Sequence, residues 1–220
     1  MKSKPAMHHT HHFIPNKQDA DSFDQNGFFV CRNLLPDQMI NLLEHYLEFQ
    51  QKSNPHYLIR DKFGIGRYAD FLCESILMFL LPVMEKVSGK TLHPTYSYLR
   101  IYSRGDDLNK HIDREIAEYS ATMTFNYASK ELWPIWVEID EKSIPINLDK
   151  GDALIYMGNK IPHWREKFKG DQWAQCFFHY VDANGPFKDY KFNMRSGPGT
   201  LPQMSKMNLQ DKIQFMKGLF

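Results

Sequence analysis

Residues Asn109 to Glu115 read NKHIDRE, and much later in the chain His163 closes the stretch DKGDALIYMGNKIPH. His111, Asp113 and His163 are the side chains here most able to share one ion. In an extended segment, residues i and i+2 point to one face about 6 to 7 Å apart, so His111 and Asp113 can converge on a metal with bonds near about 2 Å. So short a pattern is unspecific by itself. His163 adds a third ligand: a turn at Lys150-Gly151-Asp152 launches the apolar strand Ala153 to Met157, and a Gly-Asn turn then leads to Ile161-Pro162-His163. A histidine reached in this way can meet the earlier pair across a barrel mouth. Two imidazoles and one carboxylate on one face suit Fe(II) and leave cis coordination positions open.

The elements that must position these residues can be read from composition and pattern. The chain has 220 residues, 27 Lys and Arg against 26 Asp and Glu, and a formal net charge of +1. That length supports one sizeable hydrophobic core, and the charge is not the footprint of a nucleic-acid binder. Cys31, Cys73 and Cys176 are scattered and lack a CxxC spacing, which argues against a disulfide framework or a thiolate zinc site and suits a reducing cytoplasm. The longest apolar run, Ile76 to Val83, is too short for a membrane span, and no signal peptide is visible at the start. A soluble, cytoplasmic protein without a membrane or nucleic-acid partner is expected, and the oligomeric state is left open.

Residues 1–23, which include His8, His9, His11 and His12, are read as an N-terminal tail without function. Residues 24–220 are expected to form a single domain. In its helical lead-in, 24–90, a turn at Asn26-Gly27 precedes a short strand, and a helix starts near Pro36 and Asp37 with Met39, Ile40, Leu42, Leu43, Tyr46 and Leu47 on its buried face. KSNPHYLIRDKFGIGRYAD reads as loop, and a second helix spans Phe71 to Ser88 and stops at Gly89. From 91 to 184 the segments PTYSYLRIYS, SATMTFNYA, WPIWVEID, SIPINLDKGDALIYMG and QWAQCFFHYVD are strand-like and bounded by turn residues, as in an antiparallel sandwich or jelly roll. Residues 185–220, rich in Gly and Pro, are expected to wrap the surface, with a short helix near Leu209 to Met216. The fold class is therefore α+β, mainly β: a cupin-like double-stranded β-helix with supporting N-terminal helices.

Between Tyr96 and Asp182, the stretches YLRIYSRGDDLNKHID, SATMTFNY and KGDALIYMGNKIPH resemble the Fe(II)/2-oxoglutarate-dependent oxygenase superfamily, in the neighbourhood of its prolyl-hydroxylase and phytanoyl-CoA-hydroxylase branches. The lead-in NGFFVCRNLLPDQ resembles it less specifically. The resemblance implies iron held by His111, Asp113 and His163, with 2-oxoglutarate and O2 as co-substrates. The reaction it implies is hydroxylation of a C–H bond in a small molecule or peptide, coupled to release of succinate and CO2. Asp113 fills the position that a halogenase leaves open for halide.

The far carboxylate of 2-oxoglutarate would need a buried cation. Relatives commonly place Arg or Lys nine to eleven residues after the distal histidine, whereas this chain has Gln172, Trp173 and Ala174 there. Arg165, two residues after His163 and on the same face of an extended segment, is the favoured replacement, and Arg100 the second. Tyr102 matches the tyrosine that hydrogen-bonds the co-substrate in relatives, and Thr122, Thr124 and Asn126 alternate along the next strand toward the same pocket. The aromatic residues Trp133, Trp136, Trp164, Trp173, Phe177 and Phe178 are expected to pack between sheets, His179 and Asp182 to be structural, and REKFKGD to be a solvated turn. The missing Arg or Lys leaves a second reading, a cupin-like metal-binding or regulatory module without turnover, and a third in which iron and O2 act without the co-substrate. Substrate choice is expected to lie with loops such as RDKFGIGRYAD and the segment after Gly185.

Overall fold

The computed structural model describes residues 15–53, 59–61 and 64–200. Two antiparallel sheets face each other. The larger has the strand order β1-β9-β6-β11-β4-β3-β2, formed by β1 (Phe28–Cys31), β2 (Ile59–Asp61), β3 (Gly64–Tyr68), β4 (Leu92–Ser103), β6 (Tyr119–Ala128), β9 (Ala153–Tyr156) and β11 (Gln172–Asp182). The smaller runs β5-β10-β7-β8, from β5 (Leu108–His111), β7 (Ile135–Ile139), β8 (Lys142–Ile146) and β10 (His163–Arg165). Three helices, α1 (Lys17–Asn26), α2 (Asp37–Ser53) and α3 (Phe71–Ser88), accompany the larger sheet. This is the expected jelly roll with supporting helices.

The larger sheet is covered on both faces, and its alternation sorts residues between two cores. Leu99, Ile101, Ala121, Met123, Phe125, Cys176 and Phe178 pack with Leu77, Leu80 and Met84 of α3. Their in-between neighbours on β9, Leu154 and Tyr156, join Ile135, Val137 and Ile146 inside the jelly roll. All of β9 is therefore buried, which explains its uninterrupted apolar run ALIY. Each fully buried aliphatic side chain of this kind contributes roughly 1.5 to 3 kcal/mol. The segment SIPINLDKGDALIYMG supplies two strands rather than one, because β8 belongs to the smaller sheet and β9 to the larger.

Helix α3 begins and ends where its pattern predicts. The Asp70 side chain accepts from the Leu72 and Cys73 amides, both at 3.0 Å, and Gly89 closes the helix in the left-handed region at φ 66°. Pro82 is tolerated because it lies on the exposed side, where water can replace the lost helical bond. Among the described residues no helix is long and apolar enough to cross a membrane.

Three local expectations need correction. The tail does not extend to residue 23: α1 starts at Lys17 behind an Asn16–Asp19 capping box, and Phe23 is buried in the main core. Residues 1–14, with the histidine tract, and 201–220, with the expected short helix, lie outside the described residues. The supposed loop before α3 contains β2 and β3, which extend the sheet alongside β4. Its glycines mislead because Gly66 makes room for a ring: a Cβ there would stand 2.5 Å from the Tyr98 ring and hydroxyl. Finally, Leu42 is 60% exposed, while Ile40, Leu43 and Leu47 form the buried stripe of α2.

A buried ion pair fastens the segment after Gly185. Arg195 Nη2 lies 2.8 Å from Glu74 Oε2 with both side chains nearly fully enclosed, and also donates to the Thr95 carbonyl at 2.8 Å. Glu74 accepts in addition from the Ser97 amide and hydroxyl at 2.7 and 2.8 Å. Arg195→Met alone leaves the carboxylate without its cation and is expected to cost about 3 to 5 kcal/mol in urea unfolding. Adding Glu74→Leu should recover much of that loss; full additivity of the two substitutions would contradict the coupling.

Candidate metal centre and buried arginine

The smaller sheet brings the two histidines together. His163, first residue of β10, pairs directly with His111, last residue of β5, and their rings lie 4.3 Å apart. Asp113 lies beyond the end of β5 rather than within it, and its amide donates to the Gly158 carbonyl at 2.8 Å. The carboxylate Oδ1 stands 3.7 Å from His111 Nε2 and 3.6 Å from His163 Nε2. One ligand atom from each residue falls within a 4.8 Å group. Cis ligands at bonds of about 2.1 Å are about 3 Å apart, so small side-chain rotations close the set onto one ion.

The tautomers suit a metal. His111 Nδ1 faces the Asn109 carbonyl at 2.8 Å and His163 Nδ1 faces the Ile161 carbonyl at 2.9 Å. A carbonyl only accepts, so each Nδ1 carries the proton and each Nε2 lone pair is left for the ion. Burial alone would raise the Asp113 carboxyl pKa, but the facing His111 and the fields of His179 and His163 outweigh it and hold the group well below the usual carboxylate range. Burial also lowers the His163 pKa, against the opposing pull of Asp113. For His111, burial is outweighed by Asp113 and the Asn109 carbonyl, and the net shift is upward. Asp113 is thus ionised and His163 neutral near neutral pH, as ligation requires.

The second carboxylate oxygen is occupied by the protein. Ser120 Oγ donates to Asp113 Oδ2 at 2.9 Å, and the Tyr156 hydroxyl stands 3.4 Å away. With its one proton on Asp113, Ser120 accepts from His179 Nδ1 at 2.9 Å. Burial pushes the His179 pKa down to about 4. His179, expected to be a structural residue, thus lies beside the candidate site, where it orients Asp113 through Ser120. Gly158 supplies the space for this arrangement, since a Cβ there would lie 2.4 Å from both Asp113 Oδ2 and Ser120 Oγ. Gly158→Ala is expected to displace the carboxylate and weaken metal binding about 10- to 100-fold, read by metal competition, with the far-UV spectrum unchanged. Wild-type affinity in that variant would show that Asp113 is not held as described.

Deeper in the same interior lies Arg165, 1% exposed. Its Nη1 donates to the Trp133 carbonyl, its Nη2 reaches Gln175 Oε1 at 3.2 Å, and its Nε has no hydrogen-bond partner. The guanidinium lies 4.7 Å from the Trp133 ring centre and 5.5 Å from that of Trp173. Among the described residues no carboxylate pairs with it. Burial drives its pKa down to about 10, which still leaves it charged.

Around Arg165 the other expected pocket residues divide. Tyr102 is fully buried with Trp133, Phe168 and Trp173, its ring 5.0 Å from Trp133. Thr124 Oγ1 lies 3.2 Å from both the Leu148 carbonyl and Gln175 Oε1, and Thr122 accepts from Gln175 Nε2 at 2.7 Å. Asn126 leaves the pocket. A bulge puts Thr124 opposite Gln175 but Asn126 opposite Ala174, so Tyr127 turns inward and stacks on Trp173 at 4.7 Å. Arg100 is half-buried on the inner face of β4, its guanidinium 4.9 Å from the Tyr98 ring centre. Gln175, which sequence reasoning missed, joins Thr122, Thr124, Trp173 and Arg165; its place on β11 within the strand QWAQCFF was the available signal. The aromatic residues form separate groups, since Trp136 and Trp164 stack on each other away from Trp133 and Trp173.

No protein-family model matches the chain, and no curated protein does. Solved structures do match its fold. A Pseudomonas putida prolyl-4-hydroxylase superposes with a TM-score of 0.62 at 14% identity, over 75% of this chain and 97% of that one. HygX from Streptomyces hygroscopicus, solved with nickel and 2-oxoglutarate bound, gives 0.62 at 11% identity, over 78% and 89%. SnoK, a non-haem alpha-ketoglutarate-dependent carbocyclase from nogalamycin biosynthesis, gives 0.62 at 10% identity, over 77% and 85%. The chain therefore has the jelly-roll fold of these oxygenases, with a His-Asp-His set able to hold a metal.

Proposed function

We propose that this protein is a non-haem oxygenase that uses Fe(II), 2-oxoglutarate and O2 to hydroxylate a C–H bond of a small molecule or peptide. The observation that carries this reading is Arg165. A guanidinium enclosed without a carboxylate is costly unless an anion completes it, and it lies in the same interior as the facial triad. It also stands against Trp173, in the stretch where relatives commonly carry their Arg or Lys, so β10 supplies the cation that β11 lacks. This placement counts against a module without turnover.

The residues present suit the group. His111, Asp113 and His163 would hold the ion, and Arg165, with Tyr102 and Thr124 beside it, would hold the far carboxylate. Arg100 is half-buried on the inner face of β4. When bound, iron and 2-oxoglutarate supply oxidative decarboxylation to succinate and CO2 coupled to C–H oxidation. The chain's own part is to fix the ligand geometry through Ser120, His179 and Gly158, and to exclude water with the Trp133, Phe168 and Trp173 wall. Hydroxylation is the simplest outcome, although the shared fold also serves a carbocyclase. Three buried free cysteines support a cytoplasmic location.

Anaerobic addition of Fe(II) and 2-oxoglutarate is expected to produce a visible charge-transfer band at equimolar ligand. A folded protein that binds iron but shows no band, or turns over without succinate, would exclude this reading.

A further inference from the structure

We propose that the substrate carries an anionic oxyacid group and that Arg114 receives it. This deepens the oxygenase reading and rests on it. Arg114 directly follows the metal ligand Asp113 and is exposed. It is nevertheless held: Nη2 donates to the Tyr96 hydroxyl at 3.2 Å, and the guanidinium lies 5.5 Å from the Tyr96 ring centre. Tyr96 is itself buried, stacked 5.4 Å from Tyr68 and 4.5 Å from the His179 ring. His179 in turn stands 3.9 Å from the Asp113 carboxylate. One aromatic ring therefore separates the Arg114 cation from the support of the metal site.

Charge makes the assignment specific. In the loaded centre, the divalent ion and Arg165 balance Asp113 and the two carboxylates of 2-oxoglutarate. Arg114 stands outside that balance, and among the described residues it forms no ion pair. Arg100, half-buried on the inner face of β4 with its guanidinium 4.9 Å from the Tyr98 ring centre, adds a second positive charge. A substrate bringing its own negative charge, and presenting a C–H bond beside His111, completes this wall. Four of the five Arg114 N–H groups remain for a carboxylate or phosphate to engage.

The test uses the Fe(II)/2-oxoglutarate protein without oxygen, titrated calorimetrically with matched pairs: N-acetyl amino acids against their amides, and alkyl phosphates against the parent alcohols. At least one acid class is expected to bind about tenfold or more tighter than its neutral partner. Which class does so separates carboxylate from phosphate recognition. Arg114→Gln should reduce the difference to about twofold or less while leaving the chelate band intact, and Arg114→Lys should retain part of it. The proposal is overturned if neutral partners bind equally well, if no pair member binds, or if Arg114→Gln keeps the preference. Loss of the chelate band in the unmodified protein would instead defeat the oxygenase reading itself, and this proposal with it.

Discussion

Replacing Asp113 with alanine is expected to lower Fe(II) affinity more than about 100-fold while leaving the protein folded. Asp113 is the only anion of the ligand set, and its Oδ1 faces the Nε2 atoms of both histidines. Without it, two neutral imidazoles remain, and neither charge nor geometry selects a ferrous ion over solvent. The fold has little at stake, because the carboxylate sits at the mouth, where the side chain is 14% exposed, and its partner Ser120 can still use the Ala117 carbonyl at 3.4 Å. Anaerobic reconstitution followed by metal analysis and circular dichroism separates the two effects. Stoichiometric iron in a folded Asp113→Ala protein would place the metal elsewhere. His111→Ala should give the same loss of iron, again without unfolding.

Arg165→Met is expected to act in the opposite sense on stability and on binding. The arginine is enclosed, and among the described residues its Nε has no partner and no acid compensates it, so in the unliganded protein it carries an unrelieved desolvation cost. Methionine matches its length and removes the charge. Its thermal midpoint without ligand is expected to equal or exceed that of the unmodified protein. Affinity for 2-oxoglutarate, by contrast, is expected to fall about 30-fold to more than 1000-fold, as when one partner of a buried charge pair is removed. Iron binding by the triad should be unaffected. Thermal scans with and without 2-oxoglutarate give both readings, because ligand-dependent stabilisation follows affinity. A variant that unfolds early yet binds the co-substrate normally would make Arg165 a structural residue only.

Much of this protein was legible in its sequence because the relevant signals are local. A C-terminal glycine ends α3 at Gly89 whatever the rest of the chain does. Aromatic and β-branched segments bounded by turn residues mark β4, β6 and β11, and the turn at Lys150-Gly151-Asp152 launches β9 on the way to His163. The three candidate side chains, His111, Asp113 and His163, follow from such features, since a ligand must have the right chemistry before it has a position.

What the sequence determined alone is therefore the inventory: a jelly roll with helical support, two histidines and an aspartate, and an arginine sharing the inward face of His163. The tertiary structure decided which polar groups meet. A single bulge near Phe125 reverses the alternation and exchanges Asn126 for Tyr127 in the pocket. Strand pairing carries His179 to Ser120, and sheet closure encloses Arg165 fully. Periodicity is set by neighbouring peptide units, whereas burial, charge compensation and register depend on residues far along the chain, and those relations exist only once the two sheets have closed.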